Sequence, residues 1–128
     1  MTLLYVSIDG DDIGRLLTQR IYQAADDDAV RQFSELVTNT FNEMAAWVTA
    51  RDGAVLFCSG DSIFFNIDGH YYEQFATTFV PDAFNLSVGL GANRKEAHWA
   101  LNIAKSLGKN RTVHFNEVRQ DIFGIEKD

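Results

Sequence analysis

The stretch MTLLYVSIDGDDIG, residues 1–14, decides the fold. Residues 3–8 are rich in strand-forming residues and too few for a helix, so they predict a buried β-strand. Three carboxylates and two glycines follow at once, and apolar residues then recur at helical spacing from Ile13. Carboxylates this close to a core are costly unless a cation or a hydrogen-bonding partner compensates them, so the sequence predicts such a partner nearby.

The bulk composition fits one domain covering residues 1–128. Hydrophobic residues make up 46% of the chain and charged residues 23%, which is typical of a globular protein. The net charge of -7 argues against a broad nucleic-acid surface, although a metal ion could still bridge the acidic chain to a nucleotide. The single cysteine excludes an internal disulfide, and no signal segment or membrane-length apolar run is found, so we expect a cytoplasmic protein without membrane or nucleic-acid partners.

The rest of the chain alternates between helical and strand patterns. Helices are predicted from residue 13 to residue 24, and from an N-cap at 26–28 to residue 48. Further helices are predicted over 70–80 and 94–107, with Leu107 facing inward and Gly108 as C-cap. The predicted strands cover 3–8, 54–58, 62–67, 84–90 and 112–115.

This order of elements predicts an α+β sandwich of the ferredoxin-like kind, a mainly antiparallel sheet covered by helices on one side. In such a fold the first strand can pair with the hairpin formed by the second and third strands. Asp9 and Asp61 would then lie side by side at one edge of the sheet.

Asp9 and Asp61 are candidate metal ligands. Two carboxylates and the carbonyl of Gly10 suffice for Mg²⁺, which prefers oxygen ligands and retains waters; Mn²⁺ would fit the same set. Asp-Gly and Gly-Asp are also ordinary turn dipeptides, and each aspartate taken singly is explained by its turn.

The loop at 11–14 leads into a helix, whose first N–H groups can bind phosphate. Gly14 would permit close approach. Capping of the helix by Asp11 or Asp12 is the simpler explanation of these two carboxylates, and we prefer it to a role as second metal ligand.

Lys105 and Lys109 are four residues apart near a helix end, on one side of it. They either complement the helix dipole or neutralise a triphosphate from the side opposite the metals.

Three segments in register resemble the palm domain shared by GGDEF diguanylate cyclases and the CRISPR type III polymerase subunit. They are SIDGDDIGRLL at 7–17, FCSGDSIFF at 57–65 and ALNIAKSLGKNRT at 100–112. The DGDDIG form and the short length resemble most the stand-alone minimal CRISPR polymerase (mCpol) family. Ser59 and Ser62 depart from the GGDEF-type signature at the hairpin, so the second acidic residue of that signature is replaced.

The resemblance implies a palm-type nucleotidyl cyclase that makes a cyclic di- or oligonucleotide in antiphage signalling, releases pyrophosphate, and acts as a homodimer or larger symmetric oligomer. It implies that Asp9 and Asp61 are catalytic and hold Mg²⁺ or Mn²⁺ together with the Gly10 carbonyl. It also implies nucleotide contacts, with Lys105 and Lys109 at the outer phosphates and the remaining contacts from Gly10, Asp11, Asp12, Ile13, Gly14 and Gly60. Leu17 stands where diguanylate cyclases carry a base-reading asparagine, which favours ATP over GTP.

Two alternatives stay open. One is a nucleotide hydrolase resembling the archaeal GTP cyclohydrolase of the third type, which is similar in fold and metal site. The other is a non-catalytic nucleotide-binding or dimerisation module, which the two serine departures favour and the retained aspartates oppose.

Overall fold

The computed structural model describes residues 2–118. The helices are α1 (Ile13–Gln23), α2 (Asp27–Ala50), α3 (Tyr72–Thr78) and α4 (Arg94–Ser106), with a 3₁₀ turn at Gly69–Tyr71 before α3. The strands are β1 (Leu3–Gly10), β2 (Ala54–Ser59), β3 (Ser62–Asp68), β4 (Leu86–Gly91) and β5 (Thr112–His114). Within this described part, no helix is long and apolar enough to cross a membrane.

The five strands form one mixed sheet in the order β2-β3-β1-β4-β5. β1 lies at the centre and pairs antiparallel with both β3 and β4, while β5 adds to β4 in parallel. The predicted α+β fold and the predicted neighbourhood of the first strand and the hairpin are therefore confirmed.

Alternation along β1 divides its side chains between the two faces of the sheet. Val6 and Ile8 are buried on the face that α2 and α3 cover. α2 presents a regular apolar stripe to this core, the buried residues Phe33, Val37, Phe41, Met44 and Val48. Its N-terminus is capped as predicted, since the Asp26 side chain accepts a hydrogen bond from the Ala29 N–H at 2.9 Å.

α4 packs on the opposite face, so the prediction of helices on one side is wrong. Two glycines of β4 make this packing possible. A Cβ on Gly89 would lie 2.2 Å from the carbonyl oxygen of Ala97 and from the backbone nitrogen of Leu101. The backbone of α4 therefore lies almost directly on the strand, and small residues there are compulsory.

Three predicted boundaries also need correction. The helix predicted at 70–80 begins as a 3₁₀ turn, because the Asp68 carboxylate accepts the His70 N–H, and it ends at Thr78. The strand predicted from residue 84 starts only at Leu86. Leu107, predicted to face the core, is 54% exposed because α4 has already ended at Ser106.

Candidate active site

The end of β1 and the tip of the β2–β3 hairpin meet at one edge of the sheet. Asp9 is paired with Ser62, and the N–H of Gly10 donates to the carbonyl oxygen of Asp61 at 2.8 Å. The topology-based placement of Asp9 beside the hairpin therefore holds. Metal binding by Asp9, Gly10 and Asp61 stays a prediction.

Two side chains hold the carboxylate of Asp9. The hydroxyl of Ser62 donates to one carboxylate oxygen at 2.6 Å, and the ammonium of Lys105 pairs with the other. In the sequence Ser62 stands out only as the replacement of an acidic signature residue, because its partner Asp9 is 53 positions away. Lys105 contacts Asp9 directly, because α4 ends over this edge of the sheet. Its contact with the outer phosphates stays a prediction.

Asp12 occupies the N-cap position of α1, but its side chain makes no capping hydrogen bond. Its backbone is left-handed, with φ of 56°, and the carboxylate turns to Lys109 at 2.5 Å and to Arg15 at 3.7 Å. The hydrogen bond from Lys109 is the main cause that lowers the pKa of Asp12 below its ordinary value. The predicted side-chain cap is therefore wrong for this residue.

Asp11 is no cap either, because its carboxylate is buried and fully used elsewhere. Its oxygens accept hydrogen bonds from the hydroxyl of Ser87 at 2.6 Å and from the N–H of Asn110 at 2.7 Å. The N–H of Asp11 donates to the carbonyl of Asn85 at 2.8 Å. That N–H is therefore not free to bind phosphate, and phosphate binding by the backbone of residues 12–14 stays a prediction.

The glycines of the site differ in what the fold requires of them. A Cβ on Gly10 would lie 2.8 Å from the Ile13 side chain, so the chain itself excludes a larger residue. A Cβ on Gly14 would meet nothing within 4 Å, and one on Gly60 would meet only Thr38, at 4.0 Å. Packing within the described structure thus explains why residue 10 is a glycine. It does not require a glycine at positions 14 and 60, where a side chain would have space.

A cavity of about 160 Å³ lies between α1, α2 and the hairpin tip, next to Asp61 and Gly60. Its lining is mostly apolar and includes Leu17, the residue that stands where diguanylate cyclases carry a base-reading asparagine. Ser34 and Thr38 add two hydroxyl groups that sequence reasoning missed. Their spacing of four residues on one face of α2 was the available signal.

The donor chemistry of the edge suits a hard divalent cation, since two carboxylates and a backbone carbonyl are all oxygen ligands. Among residues 2–118, no group of three or more His, Cys, Asp or Glu side chains is arranged to hold a metal. The protein would therefore supply few ligands, as is usual for Mg²⁺ sites completed by waters and substrate phosphates. Lys105 would have to release Asp9 for a metal to bind there.

The comparison with protein families decides the identity. The family described as minimal CRISPR polymerase domain, mCpol, matches residues 5–115. This chain belongs to the mCpol family. No curated protein matches it.

Solved structures similar to this mCpol chain share its palm fold. The Csm1–Csm4 cassette in complex with cA4 superposes with a TM-score of 0.67 at 17% identity, over 86% of this chain and 20% of the matched chain. The same cassette in complex with one ATP gives 0.67, also at 17% identity, over 87% of this chain and 20% of the other. The GGDEF domain of DgcB from Caulobacter crescentus in complex with c-di-GMP superposes with a TM-score of 0.59 at 12% identity, over 88% of this chain and 77% of the matched chain.

The mCpol chain spans about a fifth of the Csm1–Csm4 chains it resembles. At these identities the likeness establishes the fold. The family match places the chain among minimal CRISPR polymerase domains, and the solved structures show that it shares the palm fold of Csm1 and GGDEF domains.

Proposed function

We propose that this protein is a metal-dependent nucleotidyl cyclase that converts ATP into a cyclic di- or oligoadenylate, with release of pyrophosphate, in antiphage signalling. The observation that carries the proposal is the meeting of Asp9, the hairpin tip and the N-terminus of α1 at one sheet edge, with two lysines beside them. The solved palms with ATP, cA4 and c-di-GMP bound support it by analogy.

Asp9, the Gly10 carbonyl and Asp61 would hold Mg²⁺ or Mn²⁺. Such an ion, when bound, neutralises phosphate charge and lowers the pKa of a ribose hydroxyl. The chain's own task is then to fix geometry. Ser62 holds the Asp9 carboxylate in one orientation, and Lys105 supplies a positive charge that can pass from Asp9 to a phosphate oxygen when nucleotide binds.

The N-terminus of α1 suits the phosphates. Its first N–H groups have no partners inside the helix, and the helix dipole favours an anion there. Gly14 leaves space for a phosphate at this position, and Lys109 stands beside it. The cavity lined by Leu17, Ser34 and Thr38 would take the base. Leucine cannot hydrogen-bond to guanine, so adenine is the proposed base, and the hydroxyls of Ser34 and Thr38 could donate to it or accept from it.

In the reaction, a ribose hydroxyl of one nucleotide attacks the α-phosphorus of another. A new P–O bond forms as the bond to pyrophosphate breaks, and the hydroxyl proton passes to solvent. One palm holds one triphosphate, so two copies of the chain must face each other to close a cyclic dinucleotide. The proposed assembly is therefore a homodimer or larger symmetric oligomer.

The test is incubation of the purified protein with Mg²⁺ and each nucleoside triphosphate, followed by mass spectrometry of the products. We expect a cyclic adenylate and pyrophosphate from ATP, abolished by Asp61→Ala and kept by Asp82→Ala, an exposed loop aspartate. A formylaminopyrimidine from GTP, or free phosphate without linked nucleotides, would support the hydrolase instead.

A non-catalytic nucleotide-binding module is the second candidate. The ion pairs Asp9–Lys105 and Asp12–Lys109 favour it, because the site's charges are partly neutralised without any metal. Binding of ATP with no product, in the protein and in Asp61→Ala alike, would favour the module over the cyclase.

A further inference from the structure

We propose that Asp11 is a positioning residue whose buried carboxylate holds residues 108–110, here called the lysine turn, against the loop after β1. By fixing this turn it places the Lys109 ammonium at the N-terminus of α1. The assignment rests on the proposed function, in which Lys109 contacts the outer phosphates.

Asp11 has the contacts of a clamp. Its side chain is almost fully buried, and both carboxylate oxygens accept hydrogen bonds, from the fully buried Ser87 hydroxyl at 2.6 Å and from the Asn110 N–H at 2.7 Å. Its own N–H is bonded to the Asn85 carbonyl at 2.8 Å. A carboxylate fixed at both oxygens cannot swing towards a metal or a helix end, so it joins the β1–α1 loop to β4 and to the segment before β5.

The lysine turn needs such a clamp because its backbone is unfavourable. Gly108, Lys109 and Asn110 all have positive φ, at 114°, 66° and 50°. Glycine adopts this conformation freely and asparagine tolerates it, but a lysine adopts it at a cost that surrounding contacts must offset. The end of α4 holds the first half of the turn, since the Lys109 N–H donates to the Ala104 carbonyl at 3.0 Å. Asp11 holds the second half through Asn110.

The result is a fixed position for one cation. The Lys109 ammonium lies 2.5 Å from the carboxylate of Asp12, the residue at the N-cap of α1. A phosphate arriving at that helix end could replace Asp12 as the partner of Lys109 while the backbone clamp at Asp11 stays closed. Asp11 would therefore act on nucleotide binding through Lys109 and not by touching the ligand.

The experiment measures affinity by calorimetry in Mg²⁺, with AMP and with a non-reacting α,β-methylene analogue of ATP. We expect Lys109→Ala to weaken the triphosphate analogue about 10- to 100-fold, as for a lost hydrogen bond to a charged group, and to leave AMP unchanged. Asp11→Ala should do the same. The double variant Asp11→Ala/Lys109→Ala should lose no more than Lys109→Ala alone, because the two residues act as one unit.

Asp11→Asn is the matched conservative variant. Its amide oxygen can accept the Asn110 N–H, and its amino group can donate to the Ser87 hydroxyl, which can also accept. We expect it to keep the affinity that Asp11→Ala loses. Hydrogen exchange of the peptide 107–112 should be slow in the wild type and Asp11→Asn and fast in Asp11→Ala, with Asp82→Ala as a control for an exposed aspartate.

Several results would overturn the assignment. Equal losses in Asp11→Asn and Asp11→Ala would point to a role for the charge itself, such as metal binding. If the double variant lost affinity for the triphosphate analogue by the product of the two single-variant factors, Asp11 would act independently of Lys109. If Asp11→Ala fails to fold, Ser87→Ala removes one of the two bonds and should give an intermediate loss of triphosphate affinity, whereas no loss there would contradict the clamp.

Different results would refute the proposed cyclase function and the proposed role of Asp11. A wild-type protein that binds the triphosphate analogue no better than AMP and makes no linked product from ATP would refute the cyclase, and the clamp's role with it. Product formation by the wild type together with unchanged triphosphate affinity in Lys109→Ala would refute the clamp's role alone.

Discussion

The substitution Gly14→Ala should increase the stability of the fold and lower the affinity for nucleotide. The new methyl group would enter open space, since nothing lies within 4 Å of its position, and Gly14 sits in the first turn of α1. Replacing a helical glycine by alanine reduces the entropy lost on folding and is worth about 0.5–1 kcal/mol. For a domain of this size that corresponds to an increase in melting temperature of about 2–5 °C.

The opposite effect is expected on binding. If a phosphate approaches the free N–H groups of α1, the methyl group occupies part of its space and disturbs charge-assisted hydrogen bonds worth about 1.5–3 kcal/mol each. We therefore expect affinity for the α,β-methylene ATP analogue to fall at least tenfold while adenosine binding is unchanged. Thermal melting followed by circular dichroism and calorimetric titration measure the two effects on one preparation.

The control on the same helix is Gln19→Ala, an exposed position away from the N-terminus of α1. It should change neither affinity nor stability by much. Unchanged triphosphate affinity in Gly14→Ala would show that the open space at this glycine has nothing to do with phosphate binding. A lower melting temperature would contradict the packing argument instead.

Three further predictions concern the surroundings of the site. Ser62→Ala removes the 2.6 Å hydrogen bond to Asp9 and should lower kcat about 10- to 100-fold with little change in the KM for ATP, which steady-state kinetics would check. Gly89→Ala forces a Cβ to within 2.2 Å of the α4 backbone and should lower the free energy of unfolding by about 1–3 kcal/mol or more, measured by urea denaturation; unchanged stability would contradict the tight α4 packing. Lys109→Ala should raise the pKa of Asp12 in an NMR titration. That carboxylate's depressed pKa stabilises the fold at neutral pH and loses this effect as the pH falls below about 4, so the variant should be less sensitive to acid in that range, and an unmoved pKa would contradict the ion pair.

Local patterns in the sequence were enough to predict most of the secondary structure. The apolar stripe of α2 and its cap at Asp26 depend on residues within a few positions of each other, so periodicity and capping rules apply directly. The same holds for the hairpin, whose two strands are joined by a tight turn. From these elements the pairing of β1 with the hairpin followed, and with it the placement of Asp9 beside the hairpin.

Errors arose where a local rule competed with a distant contact. Asp11 and Asp12 stand where capping residues usually stand. Their carboxylates instead contact distant residues, Asp11 binding Ser87 and Asn110 and Asp12 binding Lys109, and these partners are 76 to 99 positions away in the sequence. No short-range pattern encodes those partners. The same limit explains the face chosen by α4, which depends on how closely its backbone can approach Gly89.

The sequence by itself thus determined the elements, the pairing of the first strand with the hairpin, the family and the candidate site residues, because each depends on patterns along the chain. Only the tertiary structure decided which partner each charged group of the site contacts. Asp9 meets Lys105 across 96 positions because α4 crosses the sheet next to the end of β1, and Asp11 is buried because two distant segments, around Ser87 and Asn110, close around it. Burial and pairing of a carboxylate are properties of the folded surroundings, and three-dimensional packing alone sets them.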